Sequence, residues 1–137
     1  MNKSALIFIK IVFWMGVVLD ALSTVLFLFP EFMFSTYGLN VTSVAPETRF
    51  SLYLAAAMML GWTVLLGWGA MKPVERRGLL LLTAFPAITG LIAAEASVVI
   101  MGVVPAGALA GTWAFQGFLI AIFMTAYIVA TKQAGKS

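Results

Sequence analysis

Two acids and one amide interrupt the apolar stretches of this sequence, and they are the residues whose types and spacing suit chemistry. Asp20 lies ten residues before Pro30, and Glu95 lies ten residues before Pro105. At a helical rise of about 1.5 Å per residue, each carboxyl group is expected about 15 Å from its proline. Gln116, on the next apolar stretch, is expected at a similar depth. The pattern predicts a layer of polar side chains inside an apolar bundle.

Carboxyl groups in such a layer suit the binding of protons and cations. A charged acid at the centre of a membrane costs about 2.5–3.5 kcal/mol on insertion scales, and no Lys or Arg is expected in the layer. We therefore expect at least one of the two acids to carry a proton near neutral pH. Two acids that share a proton, or exchange it for a cation, form a coupling site. Alternatively, hydrogen bonds from the acids only hold the helices together.

Neighbouring residues complete the predicted site. Ser23 and Thr24 lie one helical turn from Asp20, on the same face. Thr24 and Gln116 are expected to orient a ligand. An apolar wall of aromatic side chains is expected beside them, formed by Trp14, Trp62 and Tyr53. The predicted ligand- and proton-binding residues are therefore Asp20, Glu95, Gln116, Thr24 and Ser23.

The chain contains no histidine and no cysteine. Their absence excludes disulfides, thiolate chemistry, Cys/His zinc sites, haem ligation through histidine and serine–histidine mechanisms. No catalytic residue, metal ligand or cofactor is predicted, and the residue types favour a protein that is not an enzyme.

The composition places the polar layer in a membrane. Hydrophobic residues make up 63% of the 137 residues and charged residues 9%, whereas soluble domains carry about 25% charged residues. Because a bilayer core needs roughly 20 apolar residues per helical span, four spans are expected, over residues 6–29, 50–71, 78–104 and 107–131. The prediction is a single all-α integral membrane domain over residues 1–137, built as an antiparallel bundle of four transmembrane helices.

Basic residues predict how this bundle is oriented. With an even number of spans, Arg49 falls on one side and the other seven basic residues on the opposite side: Lys3, Lys10, Lys72, Arg76, Arg77, Lys132 and Lys136. The positive-inside rule then places both the N and C termini in the cytoplasm. The expected location is the inner or plasma membrane. No basic face is present, so no nucleic-acid partner is expected.

Three local features are expected to shape the bundle. The external loop, residues 30–49, is aromatic enough for a short interfacial helix, which is interpreted as an anchor in preference to a lid over a cavity. Pro86 is expected to kink the third span. Gly107 and Gly111 form a GxxxG pair, and Gly61, Gly67 and Gly69 thin the second span. Small residues of this kind are typical of close helix packing.

Three segments carry a resemblance to a known group. They are LFPEFMFSTYGL at 28–39, RFSLYLAAAMMLGW at 49–62 and KPVERRGLLLL at 72–82, within about the first 60% of the chain. In order and character they resemble the small DoxX-like membrane proteins. The resemblance implies a four-helix bundle, and the group includes proteins linked to quinone-coupled redox complexes. It does not reach Glu95 or Gln116, and no site residue is transferred from it.

The leading prediction is that the protein binds a small cationic or amphipathic ligand at the carboxylate layer, with proton-coupled transport as an extension. Membrane lipid is then a partner, and transport by so few spans predicts a homo-oligomer. The alternative is a non-catalytic accessory subunit that assembles with a larger membrane complex. A lipid- or sterol-modifying enzyme is the third hypothesis.

Overall fold

The computed structural model describes residues 2–39 and 41–135, and within those ranges it contains helices and no strand. An irregular turn of π type, Thr83–Ile88, joins two of the helices. In chain order the helices are α1 (Lys3–Leu28), α2 (Pro30–Thr36), α3 (Pro46–Met71), α4 (Gly78–Leu82), α5 (Thr89–Ile100) and α6 (Ala106–Ala134). The predicted charge at Lys136 lies outside the described residues.

Four helical segments are long and apolar enough to cross a membrane, which confirms the four predicted spans. Their bounds are Lys3–Leu28, Pro46–Met71, Gly78–Ile100 and Ala106–Ala134. The third segment ends earlier than predicted, because Gly102 adopts a φ of 73° and turns the chain. The second begins earlier, with Pro46 in the first helical turn, where its fixed φ suits a helix start.

The buried core lies at one end of the bundle, where α1 begins and α3 ends. We call it the Lys72 end. Small residues of α3, the irregular turn and α6 let large side chains pack closely there, and such packing holds helices together in lipid. The backbone N–H of Asn2 also donates to Oε1 of Gln133 at 3.1 Å, which joins the start of α1 to the end of α6. The core includes Ile9, Phe13, Leu66, Ala70, Leu80, Phe123, Ala126 and Ala130.

The side chain of Phe13 on α1 packs tightly against α3 at Gly69. A Cβ atom built at Gly69 would overlap the ring of Phe13 and lie 3.0 Å from Cδ1 of Leu79. At Gly61, Gly107 and Gly111 a Cβ atom would meet no other atom within 4 Å. The expectation of close packing is therefore confirmed at Gly69, whereas at these three glycines no described residue packs that closely. At Gly67 a Cβ atom would make only an ordinary contact with Cγ2 of Val17 at 4.0 Å.

Pro86 breaks the third span, as its ring and missing N–H predict. Phe85 adopts an extended conformation, with φ −136° and ψ 119°. Below the break α4 packs against α6 within the core. Beyond it, α5 contains no buried residue and contacts mainly the irregular turn and α6. The bundle is therefore tightly packed at the Lys72 end and loosely packed at the opposite end, which we call the Tyr37 end.

The short helix α2 folds over the Tyr37 end. Met33 is buried beneath it, and Glu31 in its first turn forms an ion pair with Arg49 at the start of α3. The ion pair and the buried methionine fix α2 across the end of the bundle.

Candidate functional site

A cavity of about 330 Å³ lies at the Tyr37 end, between α1, α2, α5, α6 and the irregular turn. Asp20, Glu95 and Gln116 all line it, so the structure brings the three members of the expected polar layer together. Most of the remaining lining is apolar and includes Leu19, Leu22, Leu26, Phe27, Leu91 and Phe115. The cavity is therefore an apolar chamber with two acids and an amide.

Each of these three side chains has a buried oxygen atom to which no described residue donates a hydrogen bond. Nε2 of Gln116 donates to Oε1 of Glu95 at 3.0 Å. Three further oxygens are buried without a hydrogen bond from any described residue: Oδ2 of Asp20, Oε2 of Glu95 and Oε1 of Gln116. A buried polar group without a partner costs about 1–3 kcal/mol. Because all three oxygens accept hydrogen bonds, the complementary ligand is a donor or a cation.

No lysine or arginine lies in the lining that the structure describes. Arg49, the basic residue at the same end of the bundle, instead pairs with Glu31 at the surface. The cavity therefore offers negative charge with no positive side chain among its described walls to balance it. An apolar chamber with this balance favours a cationic ligand over an anionic one.

The two predicted hydroxyl residues differ in position. Ser23 lines the cavity, and its hydroxyl donates to the backbone oxygen of Leu19 at 2.9 Å. Thr24 is buried but does not belong to the lining, and its hydroxyl donates to the backbone oxygen of Asp20 at 2.9 Å. Ser23 can thus still accept a hydrogen bond from a ligand, whereas Thr24 supports the turn that carries Asp20.

The three aromatic residues predicted as a wall do not belong to the described lining. Trp14 is 56% exposed, because its neighbour Phe13 occupies the inward face of α1. Tyr53 is exposed on α3 and accepts a hydrogen bond from Arg49 at 3.5 Å. Trp62 lies behind the cavity and donates from Nε1 to Oγ1 of Thr83 at 3.2 Å. The expected wall of Trp14, Trp62 and Tyr53 is thus replaced by aliphatic side chains and phenylalanines.

Residues of α2 line the cavity although sequence reasoning favoured an anchor for this segment. Met33, Thr36 and Tyr37 form its roof. The pKa of the Tyr37 phenol is raised, first by burial and then by the charge of Glu95, so the ring lies within the electrostatic influence of that acid. The spacing of Met33, Thr36 and Tyr37 along one helical face was the signal for this position.

The side of the cavity toward the Lys72 end is closed by side chains. Thr83 and Ile88 of the irregular turn contribute to this floor. Gly16 lies at its base, and a Cβ atom there would approach Leu66 and Phe123 to 2.9 Å. Below this level the core fills the bundle, so the cavity occupies only the half nearer Tyr37.

Within the described residues, no group of three or more Asp, Glu, His or Cys side chains is arranged to hold a metal ion. The groups in the site that can take part in chemistry are its two acids and its amide, set among apolar walls.

Comparisons with family models, with curated proteins and with solved structures found no match to the chain.

Proposed function

We propose that this protein binds a small organic cation, such as a protonated amine, at Asp20 and Glu95. The observation that carries the proposal is the set of three unpartnered acceptor oxygens on Asp20, Glu95 and Gln116 around one apolar cavity. A protonated amine supplies both the positive charge and the N–H donors that these oxygens lack.

Exchange of a proton for the cation follows from the same groups. A carboxyl group that lines an apolar chamber is more stable with a bound proton or cation than as a bare charge. An arriving cation replaces the proton and keeps the charge of the site nearly constant. Gln116 holds one oxygen of Glu95 through its amide, so Asp20 is the acid that is freer to meet the ligand.

The proposed orientation places the Tyr37 end outside the cell and both termini in the cytoplasm of the inner or plasma membrane. It is supported by the basic residues near the Lys72 end, among them Lys10, Lys72 and Arg76. The cavity then belongs to the outer half of an antiparallel bundle. Transport additionally requires the closed half to open, and a homo-oligomer would support this. The DoxX-like relationship remains part of the proposal and concerns the bundle alone.

The second candidate is an accessory subunit of a larger membrane complex. It is favoured by α5, which contains no buried residue and exposes Ile100 at its end. A partner helix that covered α5 would use Glu95 and Gln116 as hydrogen-bonding groups. A lipid- or sterol-modifying enzyme is the third candidate, in which the two acids would exchange a proton with a bound lipid.

Amide variants test the cation site directly. In phosphatidylcholine nanodiscs at pH 7, butylammonium is expected to bind the wild type and to release protons. Asp20→Asn and Glu95→Gln each remove one negative charge and are expected to weaken binding by at least about tenfold, or about 1.4 kcal/mol. Isothermal titration calorimetry measures the affinity, and a pH indicator in weak buffer measures the released protons.

Glu47→Gln is the matched control, because Glu47 is an exposed acid in the first turn of α3 and does not line the cavity. It should bind butylammonium as the wild type does. Equal affinity in all four proteins would show that the acids do not form a cation site. Loss of a co-purifying membrane partner upon changes on α5 would then support the accessory subunit.

A further inference from the structure

The cavity has a side that faces the bilayer, between α1 and α5. Leu22 on α1 and Leu91 on α5 both line the cavity, and they are 57% and 42% exposed. The main packing partners of α1 are α3 and α6, and those of α5 are the irregular turn and α6. Leu22 and Leu91 therefore form the two lips of a gap, which we call the lateral gap.

The lateral gap lies at the level of the two acids. Leu22 is two residues from Asp20 on α1, and Leu91 is one helical turn from Glu95 on α5. A molecule that lay in the gap would have its hydrocarbon part beside the leucines and its polar end next to the carboxyl groups. Each helix thus supplies one acid and one leucine to the lining.

The route from water is more restricted than the route from lipid. At the Tyr37 end the roof is held by the ion pair of Glu31 with Arg49 and by the buried side chain of Met33. At the Lys72 end the core closes the bundle. The lateral gap has no such cover among the described residues, and its lips are apolar. A ligand dissolved in the bilayer therefore meets the smallest barrier.

From this geometry we infer that the ligand is an amphipathic amine with a hydrocarbon chain, and that it enters sideways from the bilayer through the lateral gap. The inference rests on the proposed cation site and adds the class of ligand and its route. The ammonium group binds Asp20 and Glu95, and the chain passes between Leu22 and Leu91 into the lipid. A chain longer than the cavity is accommodated, since its end remains in the bilayer.

A series of primary n-alkylammonium ions tests the class of ligand. In phosphatidylcholine nanodiscs, the affinity of the wild type, referred to the aqueous concentration, should rise about fourfold per methylene group from methyl to dodecyl. Empty nanodiscs and the double variant Asp20→Asn with Glu95→Gln give the background from partitioning into lipid. A closed cavity would instead produce an optimum, followed by weaker binding once the chain exceeds the available space.

Tryptophan variants of the gap test the route. Leu22→Trp narrows the lateral gap and is expected to weaken the binding of dodecylammonium by at least about tenfold. Leu91→Trp changes the opposite lip and should act in the same way. Leu54→Trp is the matched control, since Leu54 is 55% exposed on α3 and does not line the cavity. Dodecylammonium should bind this control as it binds the wild type.

The outcomes separate this inference from the proposed function. If methylammonium binds and depends on Asp20 while longer amines bind no better, lateral entry is overturned and the cation site stands. Wild-type binding of dodecylammonium in both gap variants would also overturn it. If no amine of any length binds in a manner that depends on Asp20 or Glu95, the cation site itself fails and lateral entry fails with it.

Discussion

The two acids differ in what surrounds each carboxyl group. Glu95 accepts a hydrogen bond from Gln116 on the neighbouring helix, so one of its oxygens is held in place. The Thr24 hydroxyl donates a hydrogen bond to the backbone oxygen of Asp20. The side-chain oxygen Oδ2 of Asp20 accepts no hydrogen bond from the described residues. Glu95 is therefore the positioned acid, and Asp20 is the acid that a ligand can engage with less rearrangement.

A glycine substitution tests the close packing at the Lys72 end of the bundle. Gly69→Ala adds a methyl group that overlaps the ring of Phe13, and overpacking of this kind typically costs about 1–3 kcal/mol. Thermal unfolding in detergent is expected to show a lower Tm. Gly61→Ala is the control on the same helix, because its added methyl group would meet no other atom within 4 Å. A Tm for Gly69→Ala equal to that of Gly61→Ala would contradict the close approach of α1 to α3.

Residue-level prediction from the sequence worked where it depended on helical rise. The common distance of Asp20 and Glu95 from their prolines placed both at one depth, and the structure has them in one cavity. The sequence was less informative about which face of a helix points toward the core. Trp14 shares a helix with Asp20 but lies on its outward face, because the adjacent Phe13 packs into the core. Which face of α1 turns inward depends on which helices become its neighbours.

At the scale of elements, α2 and the broken third span determine the shape of the cavity. The sequence indicated a short helix in the external loop and a kink at Pro86. It did not indicate that α2 would form a roof, because this depends on an ion pair between Glu31 and Arg49 in two separate helices. Nor did the pattern indicate that α5 would have no buried residue.

The ion pair of Glu31 predicts how the roof responds to acid. The pKa of Glu31 lies below its ordinary value of 4.5, first because of its own backbone N–H and then because of Arg49. The stabilising contribution is therefore complete above pH 4.5 and is lost as pH falls through the lowered pKa. Hydrogen exchange of α2 amides, corrected for intrinsic rates, should show less protection at pH 3 than at pH 6.

Glu31→Gln removes the titrating group and should give low, pH-independent protection of α2. Glu47→Gln leaves the ion pair intact and should retain the wild-type change with pH. If Glu31→Gln were as well protected at pH 6 as the wild type, the ion pair would not be what fixes the roof.

At the scale of the whole molecule, packing and polarity are divided between two ends. The Lys72 end contains the core, whereas the Tyr37 end contains the cavity and its acids. The four apolar stretches of the sequence predicted four spans, and the structure contains four helices of suitable length and hydropathy. The uneven distribution could not be predicted from composition, because it arises from the close contact at Gly69 together with the break at Pro86.

The orientation of the molecule can be tested by cysteine labelling, because the natural chain contains no cysteine. A single cysteine introduced by Ser43→Cys, at an exposed loop position of the Tyr37 end, is expected to react with a membrane-impermeant maleimide in intact cells. One introduced by Glu75→Cys should react only after the membrane is permeabilised, because it lies among the basic residues of the Lys72 end. The reverse labelling pattern would place the cavity on the cytoplasmic side.

The separation of a densely packed core from the cavity has an evolutionary consequence. Most mutations that harm a protein do so by lowering its stability, and here most of the side chains in the core do not line the cavity. Substitutions at Leu22, Leu26 or Leu91 can therefore accumulate with little effect on the stability of the fold. Related chains could diverge in the molecules they accept while retaining the same bundle.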